Sequence, residues 1–187
     1  MESHQRDWLN QGRIGIYDEV NRDMFRYVRE ALAIKMGEGN PPVTVHISSG
    51  GGGVGWGLDI YDLLAFYPGR KVGVVHSIAA SMASVILQAC DWRTATPYSS
   101  VLIHHVNNQN LHLDVARDDA ELKKFIARME RSQSKLYDIL TRRTGKTLEE
   151  ISARCKLDEP MTSEEAREYG LLDQVITTEK DIVIPNP

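Results

Sequence analysis

Val43-Thr-Val-His-Ile47, followed by Ser48-Ser-Gly-Gly-Gly-Gly53 and then by Val54 to Phe66, is the stretch that decides the fold. β-Branched residues at 43, 45 and 47 alternate with Thr44 and His46 as in a strand. The glycines 50–53 read as a turn, and the apolar run after them as a helix that stops near Pro68-Gly69. The same order recurs on both sides. Upstream, a strand at 13–17 leads into Val20, Met24, Tyr27, Val28, Ala31 and Leu32 at helical spacing, with Gly37 as a stop. Downstream, a strand at 71–75 leads into a helix at 81–89. Strands alternating with helices of this length imply an α/β class built of repeated right-handed βαβ units on a largely parallel sheet.

The 187 residues carry 42% hydrophobic and 26% charged side chains, an ordinary globular mixture that excludes disorder and collagen-like structure. A chain of this size buries roughly 70% of its unfolded surface, so one domain needs no staple. The expected organisation is a flexible arm at 1–12, a single domain at 13–178 and a tail at 179–187. The net charge of −4, without a basic run, argues against a nucleic-acid partner. Cys90 and Cys155 match neither a zinc cluster nor a disulfide scaffold, the start Met-Glu-Ser-His-Gln-Arg-Asp is polar and acid-bearing unlike a secretory signal, and no segment reaches the ~18 apolar residues of a membrane span. The expected location is the cytoplasm, with no membrane partner.

Past a strand at 101–106, a charged helix-favouring stretch runs from about Asp114 to Thr144, with Leu122, Ile126, Met129, Leu136 and Leu140 as a narrow apolar stripe. At 1.5 Å per residue it would be about 45 Å long, longer than its own sheet requires, so part of it should project as a handle and meet a partner. Two capping boxes, Thr147-x-x-Glu150 and Thr162-x-x-Glu165, open the last helices, the second closing at Gly170 before a strand at 174–176.

Three features could carry chemistry. Ser81 stands where a buried strand turns through small residues into an apolar helix. Free N–H groups and the helix dipole there favour a developing oxyanion, which suits a nucleophile; the same position suits an ordinary N-cap serine. The glycine run can bring backbone amides against a ligand. Gly50, Gly52 and Gly55 satisfy one G-x-G-x-x-G register, a weak match alone, and no Lys-Ser or Lys-Thr follows to make a phosphate loop. His104 and His105 end a strand where ligand sites of parallel sheets gather, and their alternation should let only one of them reach Ser81. The histidines show no metal-ligand spacing, so neither a metal nor another cofactor is expected.

Together these blocks resemble the Clp protease proteolytic-subunit (ClpP) family, serine peptidases of the ClpP/crotonase-like fold. The resemblance spans about residues 13–176. It rests on Ile47-Ser-Ser-Gly-Gly-Gly-Gly, Ala79-Ala-Ser-Met-Ala, Val101-Leu-Ile-His and Leu157-Asp-Glu-Pro-Met-Thr-Ser-Glu-Glu-Ala-Arg-Glu-Tyr-Gly-Leu-Leu-Asp. It implies Ser81 as nucleophile, His104 as base and Asp158 as the acid that orients the imidazole. It further implies Gly52 and Met82 amides as the oxyanion hole, with Gly50, Gly51, Gly53 and His105 around the substrate. An extended peptide would add as a strand along the glycine edge, so specificity would be broad. The implied assembly is a homo-oligomeric ring of seven, with two such rings stacked through the long helix, served by an ATP-driven AAA+ unfoldase that feeds in unfolded polypeptide. The sequence departs from the family pattern at Ser49-Gly-Gly-Gly in place of Ser-Pro-Gly-Gly, at 107–113 in place of a glycine-rich stretch, and at Leu157 in place of an arginine. Two other functions compete: a non-catalytic subunit of a mixed ring, against which the three side chains argue, and an acyl-CoA hydratase or isomerase of the same fold. The latter needs an acid/base carboxylate that 77–89 lacks.

Overall fold

The computed structural model describes residues 2–107 and 113–182. It is a mixed α/β structure around one sheet. In chain order the elements are α1 (Ser3–Asn10), β1 (Arg13–Val20), α2 (Arg22–Gly37), β2 (Val43–Gly52), α3 (Val54–Phe66), β3 (Lys71–Ala80), α4 (Met82–Leu87), β4 (Trp92–Ala95) and β5 (Ser100–Leu102). There follow α5 (Leu113–Arg117), α6 (Asp119–Thr144), α7 (Leu148–Leu157), β6 (Met161–Thr162), α8 (Ser163–Tyr169) and β7 (Gln174–Val175), then a 3-10 turn at Glu179–Asp181.

Strands β1-β2-β3-β4-β7 lie side by side and parallel, as the alternation of strands and helices requires. β3 divides the sheet. Its first half pairs with β4, through Val72–Val75, and its end pairs with β5, which in turn pairs antiparallel with β6. Between Val75 and Ala79 the register to β2 slips, with Ser77 at φ 65°, so β3 bends towards the end that carries Ser81. The main core gathers Ile14, Ile16, Val45, Ile47 and Val75 from the strands with Val28, Leu32, Ile60, Leu64, Ile86 and Leu87 from the helices. Val72, Val74 and Ile176 form a smaller cluster.

Several elements differ from the sequence reading. Residues 3–10, expected as part of a mobile arm, form α1. Its Glu2/Gln5 capping box and the burial of Leu9, 1% exposed, hold it on β1, an anchor too short to show as a period. Residues 179–182, expected as tail, are tied back by Arg13–Glu179 at 2.9 Å and by Ile182 against the smaller cluster. The glycines 50–52 belong to β2 rather than to a turn, and Gly53 caps α3. The strand expected at 101–106 ends at Leu102. The long helix is broken at Asp118, whose carboxylate accepts from the Ala120 and Glu121 amides and starts α6 as an N-cap. Only the lower end of α6 is packed, through Leu136, Ile139 and Leu140, and no residue of 114–135 is buried; this half projects. The departure noted at 107–113 lies largely outside the described residues. Among the described residues no helix is long and apolar enough to cross a membrane.

Beneath Trp8, His46 is 3% exposed and stacks on His76, with His46 Nδ1 2.9 Å from His76 Nε2. Burial, and then the neighbouring His76 and Arg13, push the His46 imidazole down to about 4. The folded chain therefore holds this ring neutral while the unfolded chain protonates it near ~6.5, so stability is full above that pH and is lost as pH falls towards 4. Between pH 7.5 and pH 5 the loss from this ring is expected to be about 2 kcal/mol. Urea unfolding at the two pH values should show it, and should show it largely gone in His46→Gln; an equal loss in the variant would contradict the assignment.

Candidate active site

Strand β3 delivers Ser81 at its end, and the chain turns there into α4 with Ser81 at φ 54°, ψ −126°. That is a conformation L-residues rarely hold, at a cost of order 1–3 kcal/mol, and such strain collects at functional sites. Ser81 N donates to Leu102 O at 2.9 Å, which fixes the turn against β5. The N-cap alternative fails on one observation: the Ser81 side chain makes no capping hydrogen bond. Its hydroxyl is left for other work. Ser84, by contrast, is buried and donates to Ser81 O at 2.6 Å, and Ser77 is exposed and outside the cavity.

Ser81 shares a cavity of about 40 Å³ with Gly52, Met82, Ser84, Ile103, His104, His105, Asn107 and apolar side chains of α3, α4 and α6. The sequence reading allowed only one of the two histidines on this side; the structure puts both here, because the chain past Leu102 is no longer a strand and alternation does not apply. His104 Nδ1 lies 2.7 Å from His105 O. A carbonyl only accepts, so Nδ1 carries a proton here, and in the neutral ring the lone pair of a base then falls on Nε2. No hydrogen bond joins Ser81 Oγ to His104 among the described residues. His105 Nδ1 is 2.8 Å from Tyr137 Oη, and that hydroxyl is 3.3 Å from Ser152 Oγ.

The expected Asp158–His104 contact is absent. Asp158 is the C-cap of α7 in left-handed geometry, φ 52°, ψ 38°, exposed and outside the cavity lining; at Nδ1 its place is taken by the His105 carbonyl. Among the described residues no three metal-ligating side chains gather.

Gly51 is pressed on the Ser81 turn. A Cβ there would stand 2.6 Å from Ser81 Cβ, 2.7 Å from Ala80 O and 2.9 Å from Met82 N, at φ +94°. Met82 N is the first amide of α4 and has no acceptor within its helix, and Gly52 lines the same cavity. The amides of Gly51 and Gly53 are already used, by Ser49 Oγ and Val20 O, while Gly50 is exposed. Past Ser49 the β3-facing side of β2 has no strand partner. Gly51→Ala should therefore cost at least about 2 kcal/mol and upset the turn, since both φ and rigid backbone oppose it. A thermal melt within a degree of the parent, with hydrolysis unchanged, would show that the contact is not tight.

A serine on a strained strand-to-helix turn, a histidine of defined tautomer and the Gly52 backbone in one cavity can polarise and attack a carbonyl. The comparisons point the same way: the profile described as Clp protease matches residues 2–179. The chain belongs to the Clp protease family. Its relatives include an ATP-dependent Clp protease proteolytic subunit of Bacteroides fragilis, 34% identical over 141 residues, covering 72% of this chain and 63% of that protein. Another, of the same name and from Chlorella vulgaris, is 31% identical over 153 residues, covering 80% of this chain and 73% of that protein. The chain thus spans less than two thirds of the Bacteroides relative. Gln133 and Tyr137, which hold the Clp histidine loop from α6, were not legible in the sequence: they lie some 30 positions from it inside a charged stretch.

Proposed function

We propose that the chain is a serine endopeptidase that hydrolyses peptide bonds of unfolded polypeptides or peptides, with Ser81 as nucleophile and His104 as general base. The observation that carries this reading is the Ser81 hydroxyl, free of any capping bond to α4 on a backbone held at φ 54°, in one cavity with His104 and Gly52. His104 Nε2 takes the Ser81 proton as Oγ attacks the carbonyl, then gives it to the leaving amine; water repeats the cycle on the acyl-enzyme. The Gly52 and Met82 amides receive the oxyanion, a donor of this kind being worth about 3 kcal/mol. Substrate enters as a strand on the open side of β2, so recognition is mostly of main chain. In the working form Asp158 replaces the His105 carbonyl at Nδ1, where a carboxylate stabilises the imidazolium that a neutral carbonyl supports less well.

The projecting half of α6 supports assembly with further copies. The reading extends to a ring of seven in the cytoplasm, two rings stacked through α6, and an AAA+ unfoldase as partner. Incubation of the chain with an unfolded polypeptide and mass spectrometry of the products tests the activity. Fragments are expected from the parent and none from His104→Ala. An intact substrate at the oligomeric state found by solution mass measurement would overturn the proposal.

A further inference from the structure

The peptide group between His105 and Val106 is bonded on both sides. Its carbonyl accepts from His104 Nδ1 at 2.7 Å, and its N–H donates to Gln133 Oε1 at 2.5 Å. One rigid plane joins the two bonds, so whatever fixes the N–H also fixes where the carbonyl points. One helical turn further along α6, Tyr137 holds the His105 ring at 2.8 Å and reaches Ser152 on α7, the helix that ends at Asp158. Gln133 and Tyr137 are i and i+4, on one face of α6, and both contacts fall on the same two residues of the histidine loop.

We infer that Gln133, seconded by Tyr137, is a latch: it holds the His105–Val106 peptide so that its carbonyl occupies His104 Nδ1, and releasing the peptide makes that nitrogen available to Asp158. The inference rests on the serine-peptidase reading above. Its physical basis is that Nδ1–H is a single donor, and a fixed carbonyl and a carboxylate compete for it. The carbonyl holds the tautomer but adds no charge opposite the imidazolium, so the latched site is a slow one. Gln133 uses only the acceptor end of its amide: Nε2 is buried without a partner among the described residues. An acceptor at that position, rather than an amide as such, is what the latch requires. Because the latch sits on the helix whose other half projects, a partner that shifts α6 would act on the site through these two side chains. Gln133 is a positioning residue; it does not line the cavity.

The test uses the whole chain, a fluorophosphonate probe and histidine-selective ¹⁵N NMR. Gln133→Met keeps the volume and the helix preference but removes the acceptor. Its labelling at Ser81 is expected to be about fivefold to tenfold faster, of the order that one charge-assisted hydrogen bond is worth. Gln133→Glu keeps an acceptor and should stay within about twofold of the parent. Adding Asp158→Asn to Gln133→Met should remove the gain. Tyr137→Phe, which frees only the His105 ring, should move the rate the same way by less, and serves if Gln133→Met does not fold. The His104 Nδ1–H resonance should move downfield in Gln133→Met and return in the double variant, a signature that needs no turnover. Labelling of Gln133→Met at or below the parent rate with an unmoved resonance, or a gain that survives Asp158→Asn, overturns the latch. A moved resonance without labelling of Ser81 in any form would retain the latch and sink the nucleophile assignment instead.

Discussion

Ser81→Ala is expected to lower kcat for peptide hydrolysis by roughly 10⁵-fold or more while leaving KM within about threefold, as removal of a nucleophile does in serine hydrolases. The split follows from where the two energies arise. In the proposed mechanism binding comes from main-chain pairing on the open side of β2, which the variant does not touch, whereas bond formation needs the Ser81 hydroxyl, which makes no capping bond to α4. Alanine meets the same positive φ as Ser81, so the variant should be about as stable as the parent. Steady-state kinetics on a peptide substrate, with a thermal melt alongside, measures both. Residual activity above about 1% of the parent would mean another nucleophile.

Asp173→Ala should destabilise the fold by about 3–5 kcal/mol, a fall in the melting midpoint of roughly 10 °C for a chain of this size. Arg93, 5% exposed, spends its guanidinium on both oxygens of Asp173, on Gln88 Oε1 at 2.7 Å and on Gly170 O at 2.8 Å. Asp173 also accepts the Arg93 amide at 2.7 Å, so the pair ties β4 to the segment that closes the domain. A second, half-buried guanidinium, Arg143, stands close enough that burial and Arg93 together lower its proton affinity. Without Asp173 the two like charges lose the carboxylate that, among the described residues, pairs with Arg93 and offsets the repulsion at Arg143. Replacing both partners, Arg93→Met with Asp173→Leu, should recover much of the loss, since an apolar pair avoids the desolvation cost. Chemical denaturation decides it; a single-variant cost under about 1 kcal/mol would show that water relieves the charge.

The same pair explains what the sequence concealed. β2 and the first half of β3 are runs of Val and Ile with two buried faces, and they were legible as strands. β4 was not, because Trp92-Arg-Thr-Ala95 carries an arginine at a buried position, and a charge that is satisfied 80 residues away gives no local sign of burial. The capping boxes at Thr147 and Thr162 formed as read, being local contacts of side chain and amide. The break at Asp118 was missed although an Asp with Asp119 and Glu121 behind it is itself a helix start, hidden inside a longer favourable stretch. Within the site, Ser81, the glycine run and the histidine pair were legible from strand ends and composition, while Gly52 and His104 were singled out by resemblance; Ser81, Gly52 and His104 line one cavity. Asp158 was placed by resemblance, and the single chain leaves it in solvent. The latch residues carry no signal of their own, since a Gln and a Tyr on an exposed helix acquire meaning only from the loop that folds onto them.

Treating the native chain with a fluorophosphonate and mapping the adduct by peptide mass spectrometry tests the assignment of the nucleophile. One stoichiometric adduct is expected, on Ser81, lost in Ser81→Ala and in His104→Ala. An adduct on Ser77 or Ser84, or none at all from a folded and assembled sample, would contradict it.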